Sequence, residues 1–490
     1  MKSRSQGNDI GGERATSPLT LLAGLAVAVY TLPFTLPALR CYFSQDHVFN
    51  ILLYANVPPL KILASNITFW TTFHRPFGGL VYVALYHLFG MTAWPYYLAA
   101  LLLFFINLAL VFTLLLRLTG DRLVASLATA LSSVHPELVD IWYNFGAAYD
   151  LLALGLMMGG FHFYLSFDRQ TDPHRARRFY AASLFMYVLA LDSKEAAISL
   201  VAILGLYECV YRFPLQWPWT RLGELARRLG PFAVVAAAYA AGKLLGAEAT
   251  WKRHEDYQYR LDGTILENLP GYFDRVVNYH FRFDASLLAG LVVVSLVLAL
   301  ILRNRAMLFG WFYFWVALAP VAGLPRPWGL YLYIPLVGIG LYLGALVCAV
   351  LPRTLRKRRL FDAVVLLLFL VGLTSLHHGA LQAVAIRRFL EPALERHSYV
   401  RQLFTLYPDL PGDTALFIRR SPFVDDWALH SAVWLHYRKP GISVLQGPDA
   451  RPADFPNLGR QCTQYRVVAY QQGRVYEVER GKLAAGELPR

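Results

Sequence analysis

The chain has 490 residues, 56% of them hydrophobic and only 16% charged, with a mean hydropathy of +0.40. Those proportions exclude an ordinary soluble domain and place the chain in a bilayer. The formal net charge of +14 calls for no nucleic acid partner, because much of it is topological signal and contact with anionic lipid.

Apolar stretches able to cross the hydrocarbon core, which takes about 20 residues each, recur from Leu19 to about Leu381 and predict about eleven membrane helices. In chain order they run Leu19 to Leu39, Pro95 to Leu116, Leu123 to Val134, Asp150 to Phe167, Phe179 to Leu191 and Ala196 to Tyr211. The remainder are Leu229 to Leu245, Leu287 to Leu302, Ala306 to Ala322, Leu330 to Leu351 and Phe361 to Gly379. Three are short for a full span and are expected to stop near the headgroups or to continue under neighbouring loops. The first has no clear small-residue cleavage site and reads as an uncleaved anchor.

Basic residues are retained on the cytoplasmic side of a membrane. Alternate connections carry twenty Lys and Arg against ten, the richer set including Arg175, Arg177, Arg178, Arg303, Arg305 and the run Arg356 to Arg359. The tail 1–17 is therefore expected inside, and an odd number of spans puts the C-terminus outside. The organisation expected is a membrane domain over 18–385 and an extracytoplasmic α/β domain over 386–490, a length able to fold separately. In that tail Val467 to Tyr470 and Val475 to Val478 flank a hairpin turn, Thr414 to Ile418 and Ile442 to Leu445 read as strands, and Trp427 to Tyr437 as a helix between them. The fold class is thus an all-α polytopic membrane protein with a small α/β appendage. No short internal repeat or low-complexity segment is seen.

Of four cysteines, Cys209 and Cys348 fall in spans as small apolar groups. Cys41 and Cys462 are both expected outside, where a disulfide between them is allowed. No Cys/His spacing suited to a metal is present.

The chemistry is expected in the first outer loop, residues 40–94. Its runs Phe49 to Tyr54 and Phe77 to Gly90 are too apolar to float in water and suit helices lying in the membrane interface, roofing a cavity at the depth of a lipid phosphate. Asp46, just past the first span, is a carboxylate able to collect a proton from an acceptor hydroxyl. Its alternative is a solvated carboxylate at a helix start, where an Asp also caps amide groups well. A second outer loop, 247–286, carries Trp251 to Tyr257, an aromatic and polar run suited to gripping a sugar and equally to anchoring at the interface.

Five stretches keep a common order and spacing: Asp46; His74-Arg75-Pro76-Phe77 through Leu88-Phe89-Gly90; His135-Pro136-Glu137 through Tyr149-Asp150-Leu151-Leu152; Asp192-Ser193-Lys194-Glu195-Ala196; and Tyr331-Leu332-Tyr333-Ile334-Pro335. Together they resemble the type-C membrane glycosyltransferases (GT-C), the class that includes protein O-mannosyltransferases and aminoarabinose transferases, and most closely the branch of tetratricopeptide-bearing O-mannosyltransferases. The resemblance implies inverting transfer of a sugar from a polyprenyl-phosphate donor to a glycan, lipid or protein acceptor on the extracytoplasmic face. Asp46 would match the family's general base, an acidic residue at Asp150 would face the cavity, and His135, Glu195, Tyr331 and Tyr333 belong to matching stretches that would line it; the residues alone read Asp150 equally as a helix-start residue favoured by the dipole and His135 as an interfacial polar cap ending a short span. No cofactor is implied, and no glycine-rich phosphate loop is present.

For the donor phosphate the candidates are Lys194, Arg75 and Arg326, since a cation there neutralises the leaving group without a metal. Lys194 interrupts two apolar segments, and an intramembrane charge is costly enough to suggest function. Its alternative is pairing with Asp192 or Glu195, or reaching to headgroups. Arg75 before Pro76 would equally anchor an interfacial helix. Two departures from the family stand out: relatives often place an arginine where this chain has Leu330, and some have a second acidic residue where it has His47. A lipid-linked-sugar transporter should show repeated halves with broken helices, and none is seen; a non-catalytic lipid-carrier scaffold would tolerate loss of Asp46. Multi-pass insertion in a bacterial plasma membrane is the expected location.

Overall fold

The computed structural model describes residues 18–68, 75–212, 222–245, 258–351, 359–424, 426–447 and 462–482. The N-terminal tail, His74 and the run Trp251 to Tyr257 lie outside these residues.

The first apolar stretch forms α1 (Pro18–Thr35), ending in a 3-10 turn over Leu36–Arg40. The first outer loop folds as three helices, α2 (Gln45–Ala55), α3 (Pro59–Thr68) and α4 (Pro76–Phe89). Pro76 opens α4 at a position where its missing N–H costs nothing. Then come α5 (Trp94–Thr119), α6 (Arg122–Ser133), the single turn α7 (Val139–Tyr143), α8 (Ala148–Arg169) and α9 (Pro173–Leu191). Next are α10 (Leu200–Tyr207), α11 (Leu222–Leu245), α12 (Thr264–Val276), α13 (Ala285–Ile301), α14 (Arg305–Ala322), α15 (Leu336–Val350) and α16 (Arg359–Ala383).

Each of the eleven apolar stretches is therefore wholly or largely helical. Four helical segments among the described residues are long and apolar enough to cross a membrane: Leu22–Arg40, Trp94–Thr119, Phe145–Arg169 and Arg305–Ala322. Four further apolar helices are shorter. At 12 residues α6 is only about 18 Å long, less than the roughly 30 Å hydrocarbon core. The chain is a polytopic membrane protein whose number of spans the helix lengths do not fix at eleven.

Small residues let the central helices touch backbone to backbone, the usual solution where lipid removes the hydrophobic drive between helices. A Cβ on Gly310 of α14 would lie 2.6 Å from the Gly338 carbonyl of α15, and one on Gly340 would lie 2.4 Å from the Ala128 carbonyl of α6. That contact carries the start of α15, and the tyrosine-rich turn before it, against α6 and α14.

After a π-helical stretch, Val384–Leu390, α17 (Glu391–Leu406) leads into the C-terminal module: β1 (Thr414–Arg419), α18 (Asp426–Tyr437), β2 (Ser443–Gln446), β3 (Gln464–Gln471) and β4 (Arg474–Lys482). The sheet order is β2-β1-β3-β4, with β1 parallel to β2 and β3 and the β3–β4 pair antiparallel. β1 is buried along almost its whole length, as a central parallel strand should be. Gln472 and Gly473 have φ of 51° and 77°, the two left-handed residues a tight two-residue hairpin requires.

The module is docked, not tethered. α18 packs on α2 with Phe49 and Trp427 edge to face at 5.0 Å, Tyr42 stacks on His397 at 4.7 Å, and Arg396 Nε donates to the Phe43 carbonyl at 3.2 Å. Cys41 and Cys462 are both free thiols, so the disulfide the sequence allowed is not formed.

Candidate active site

α2 begins beside the end of α1, and its first turn sorts two adjacent side chains in opposite directions. His47 is fully buried, its ring edge-on to Phe43, Tyr97 and Phe145, and its Nδ1 accepts from the Ser44 amide at 2.9 Å. Asp46 is exposed. The Ser44 hydroxyl donates to Asn144 Oδ1 at 3.0 Å, tying the turn to the loop before α8. The helix start is thus held by Ser44 and His47, and Asp46 is not its N-cap residue. His47 turns into the core.

Gly146 forms the floor beneath Asp46. A Cβ there would lie 3.4 Å from Asp46 Oδ2 and 3.0 Å from Asn144 Oδ1. The Asp46 carboxylate also acts electrostatically on the Tyr82 phenol of α4, whose hydroxyl donates to the Phe145 carbonyl at 3.3 Å. One turn along α2, Asn50 Oδ1 accepts from the Tyr149 hydroxyl at 3.0 Å. Glycines make room for this ring layer: a Cβ on Gly78 would stand 2.2 Å from the Tyr149 ring, and one on Gly79 2.4 Å from that of Tyr54.

Tyr149 then leads to the cations. The Arg75 guanidinium sits 4.9 Å from the Tyr149 ring centroid, and its Nη2 donates to Glu195 Oε2 at 3.1 Å. Lys194 Nζ donates to Asp150 Oδ2 at 2.9 Å and lies 5.7 Å from the Tyr331 ring centroid. The lysine therefore pairs across the fold with Asp150 and not with its sequence neighbours Asp192 or Glu195. Burial works against the charge on Arg75, but Glu195 and Asp150 outweigh it and raise its pKa. Lys194 goes the other way: burial lowers its pKa, Asp150 opposes the fall, and the like charge of Arg75 adds to it. The four groups form one cluster of two cations and two carboxylates. An arriving phosphate would exchange against a carboxylate that a cation already holds.

Tyr333 stands behind this cluster, 3% exposed, its hydroxyl accepting from Asn107 Nδ2 at 3.1 Å. Two other sequence candidates are placed elsewhere. His135 has its Nε2 on the Val276 carbonyl at 2.9 Å and its Nδ1 accepting from the Glu137 amide at 3.2 Å, so its ring ties the end of α6 to the end of α12. Burial pulls its pKa down to about 4, which keeps it in that neutral form. Arg326 lines a neighbouring cavity of about 540 Å³ together with Glu137, Asp140, Arg275 and Arg388. A 3-10 turn, Gly329–Leu332, joins the two places, with Gly329 against Glu137 and Tyr331 against Lys194.

Sequence reasoning passed over Asn50, Tyr82, Asn144 and Asp140. The neutral residues carry no charge to flag them, and only folding brings α2, α4 and the loop before α8 together. Asp140, like Tyr82 and Asn144, lies inside one of the five stretches, and its carboxylate faces Arg388 at 3.9 Å. Among the described residues no three His, Cys, Asp or Glu side chains gather as a metal-holding group.

No family model matches this chain, and no curated protein does. Solved structures do. A crystal structure of ArnT from Cupriavidus metallidurans in the apo state aligns over 92% of this chain and 93% of its own, with TM-score 0.51 and 16% identity. A second, of ArnT from Cupriavidus metallidurans bound to undecaprenyl phosphate, covers 92% of each chain with TM-score 0.45 and 15% identity. The narrower likeness to O-mannosyltransferases gains no support from these neighbours. What the apo structure shows is a shared fold along nearly the whole chain.

Proposed function

We propose that this protein is an integral membrane glycosyltransferase that moves a sugar from a polyprenyl-phosphate donor to a hydroxyl acceptor at the extracytoplasmic face, with inversion. Asp46 Oδ removes the acceptor proton as the acceptor oxygen attacks the anomeric carbon, and the bond to the lipid phosphate breaks with its electron pair leaving on the phosphate oxygen. Lys194 and Arg75 stabilise the departing charge. The observation that carries this reading is the convergence on one end of the helical body of an exposed carboxylate, Asp46, and two largely buried cations, linked through Asn50 and Tyr149. Catalysis would thus need Lys194 to trade Asp150 for phosphate. Tyr331, whose ring centroid lies 5.7 Å from that ammonium, would contact the same group. The cavity around Arg326, Arg275 and Glu137 would hold the acceptor, its mixed charge suiting a polar group.

The test is transfer by the full chain in lipid discs, offered a panel of polyprenyl-phosphate sugars with native membrane extract as acceptor. Sugar appearing in extract components while polyprenyl phosphate is released supports the reading. Donor binding without turnover across the panel contradicts it in favour of a lipid-carrier scaffold.

A further inference from the structure

A second cavity, larger than the one beside Arg326, is at the other end of the helices. It measures about 940 Å³ and is framed by the ends of α5, α8 and α15 and the connection from α13 to α14. From Asp150 to Arg169, α8 covers roughly 30 Å, so this cavity is separate from the Asp46 site. The positive-inside pattern places this end in the cytoplasm.

Four guanidinium groups line it, those of Arg117, Arg169, Arg303 and Arg305. None of the four has a carboxylate partner among the described residues. That is unusual for this end, where Arg212 and Arg228 share Asp168, Glu208 and Glu224 in a dense ion-pair network. Arg117 instead uses the His162 ring and the Ser166 hydroxyl, and Arg169 stands close enough to repel it. The one carboxylate on the lining, Asp121, accepts from the Leu123 and Val124 amides at the start of α6. The Tyr211 hydroxyl is buried at the cavity with no hydrogen-bond partner among the described residues, and Arg305 is near enough to act on it electrostatically. Repelling cations and an unsatisfied donor around a ligand-sized space call for an anion.

We infer that this cavity is a phosphate-anion site, sized for the headgroup of an anionic phospholipid of the cytoplasmic leaflet. Guanidinium forks match phosphate oxygens, and basic pockets between membrane helices on that side suit such headgroups. A bound headgroup would also tie α5, α8, α14 and α15 together at the end opposite the reaction. The same chemistry would accept free phosphate.

The experiment follows the thermal unfolding midpoint of the full chain in detergent during titration with dihexanoyl phosphatidylglycerol, dihexanoyl phosphatidylcholine or inorganic phosphate. The expected result is a saturable rise with phosphatidylglycerol and none with phosphatidylcholine, the phosphatidylglycerol affinity falling at least about tenfold in Arg303→Gly/Arg305→Gln. Arg303 has φ of 48°, where glycine is at ease, so the first change does not strain the turn. An equal rise with inorganic phosphate supports the site and names free phosphate as occupant. Tyr211→Phe, which keeps every charge, should weaken the affinity about threefold. Equal shifts with both lipids, or an affinity unchanged in these variants, overturn the site.

Discussion

Lys194 Nζ and Asp150 Oδ2 lie 2.9 Å apart, with side chains only 9% and 5% exposed, joining the turn after α9 to the first turn of α8. Removing one partner of such a pair strands a buried charge, at a cost of about 3 to 5 kcal/mol, whereas replacing both with apolar groups is often neutral. Lys194→Met and Asp150→Leu should each lower unfolding stability by that amount, and the double variant should regain most of it. If Lys194 also receives the donor phosphate, the double variant stays at least about a hundredfold down in turnover. Recovered turnover with recovered stability would reduce the pair to a structural one.

Gly329 admits Glu137. A Cβ at 329 would stand 1.6 Å from Glu137 Oε2, the oxygen that holds Arg275 Nη1 at 2.8 Å. Gly329→Ala should therefore displace that ion pair and destabilise the chain by about 1 to 3 kcal/mol. Glu137→Ala in the same chain should relieve the clash, so that the double variant is less destabilised than the two single changes predict, as a double-mutant cycle would read.

The docked module should be energetically coupled to the helix that carries Asp46. Phe49 and Trp427 meet edge to face at 5.0 Å, and such pairs are worth about 1 kcal/mol beyond their area. A cycle of Phe49→Ala and Trp427→Ala, read by unfolding, should return a coupling of that size. A coupling near zero would mean that the contact does not hold the module in place.

Much of this architecture was legible because the bilayer simplifies the code. Long apolar runs such as Trp94–Thr119 have few alternatives to a helix. In the C-terminal module, the turn at Gln472-Gly473 between the runs Val467 to Tyr470 and Val475 to Val478 marked β3 and β4, and the run Thr414 to Ile418 marked β1. Asp46 was visible as a lone carboxylate after a span, and Lys194 as a charge between two. Pairing was not legible. Lys194 chose Asp150, 44 positions away, over two acids beside it, because the turn after α9 points the side chain inward toward α8. His135 read either as a cavity group or as a polar cap ending a short span, and backbone partners take both ring nitrogens. Local sequence records which groups are chargeable and leaves their partners to helix packing.

The central claim is that Asp46 is the base of a transfer from a polyprenyl-phosphate donor. Release of polyprenyl phosphate by the purified full chain in lipid discs, for wild type and Asp46→Asn side by side, tests it most directly. The variant keeps the shape of the first turn of α2, where Ser44 and His47 hold the helix start. The account predicts donor binding by both proteins and turnover at least about a thousandfold slower in the variant, within the range of a lost general base. Turnover by Asp46→Asn equal to wild type would contradict it.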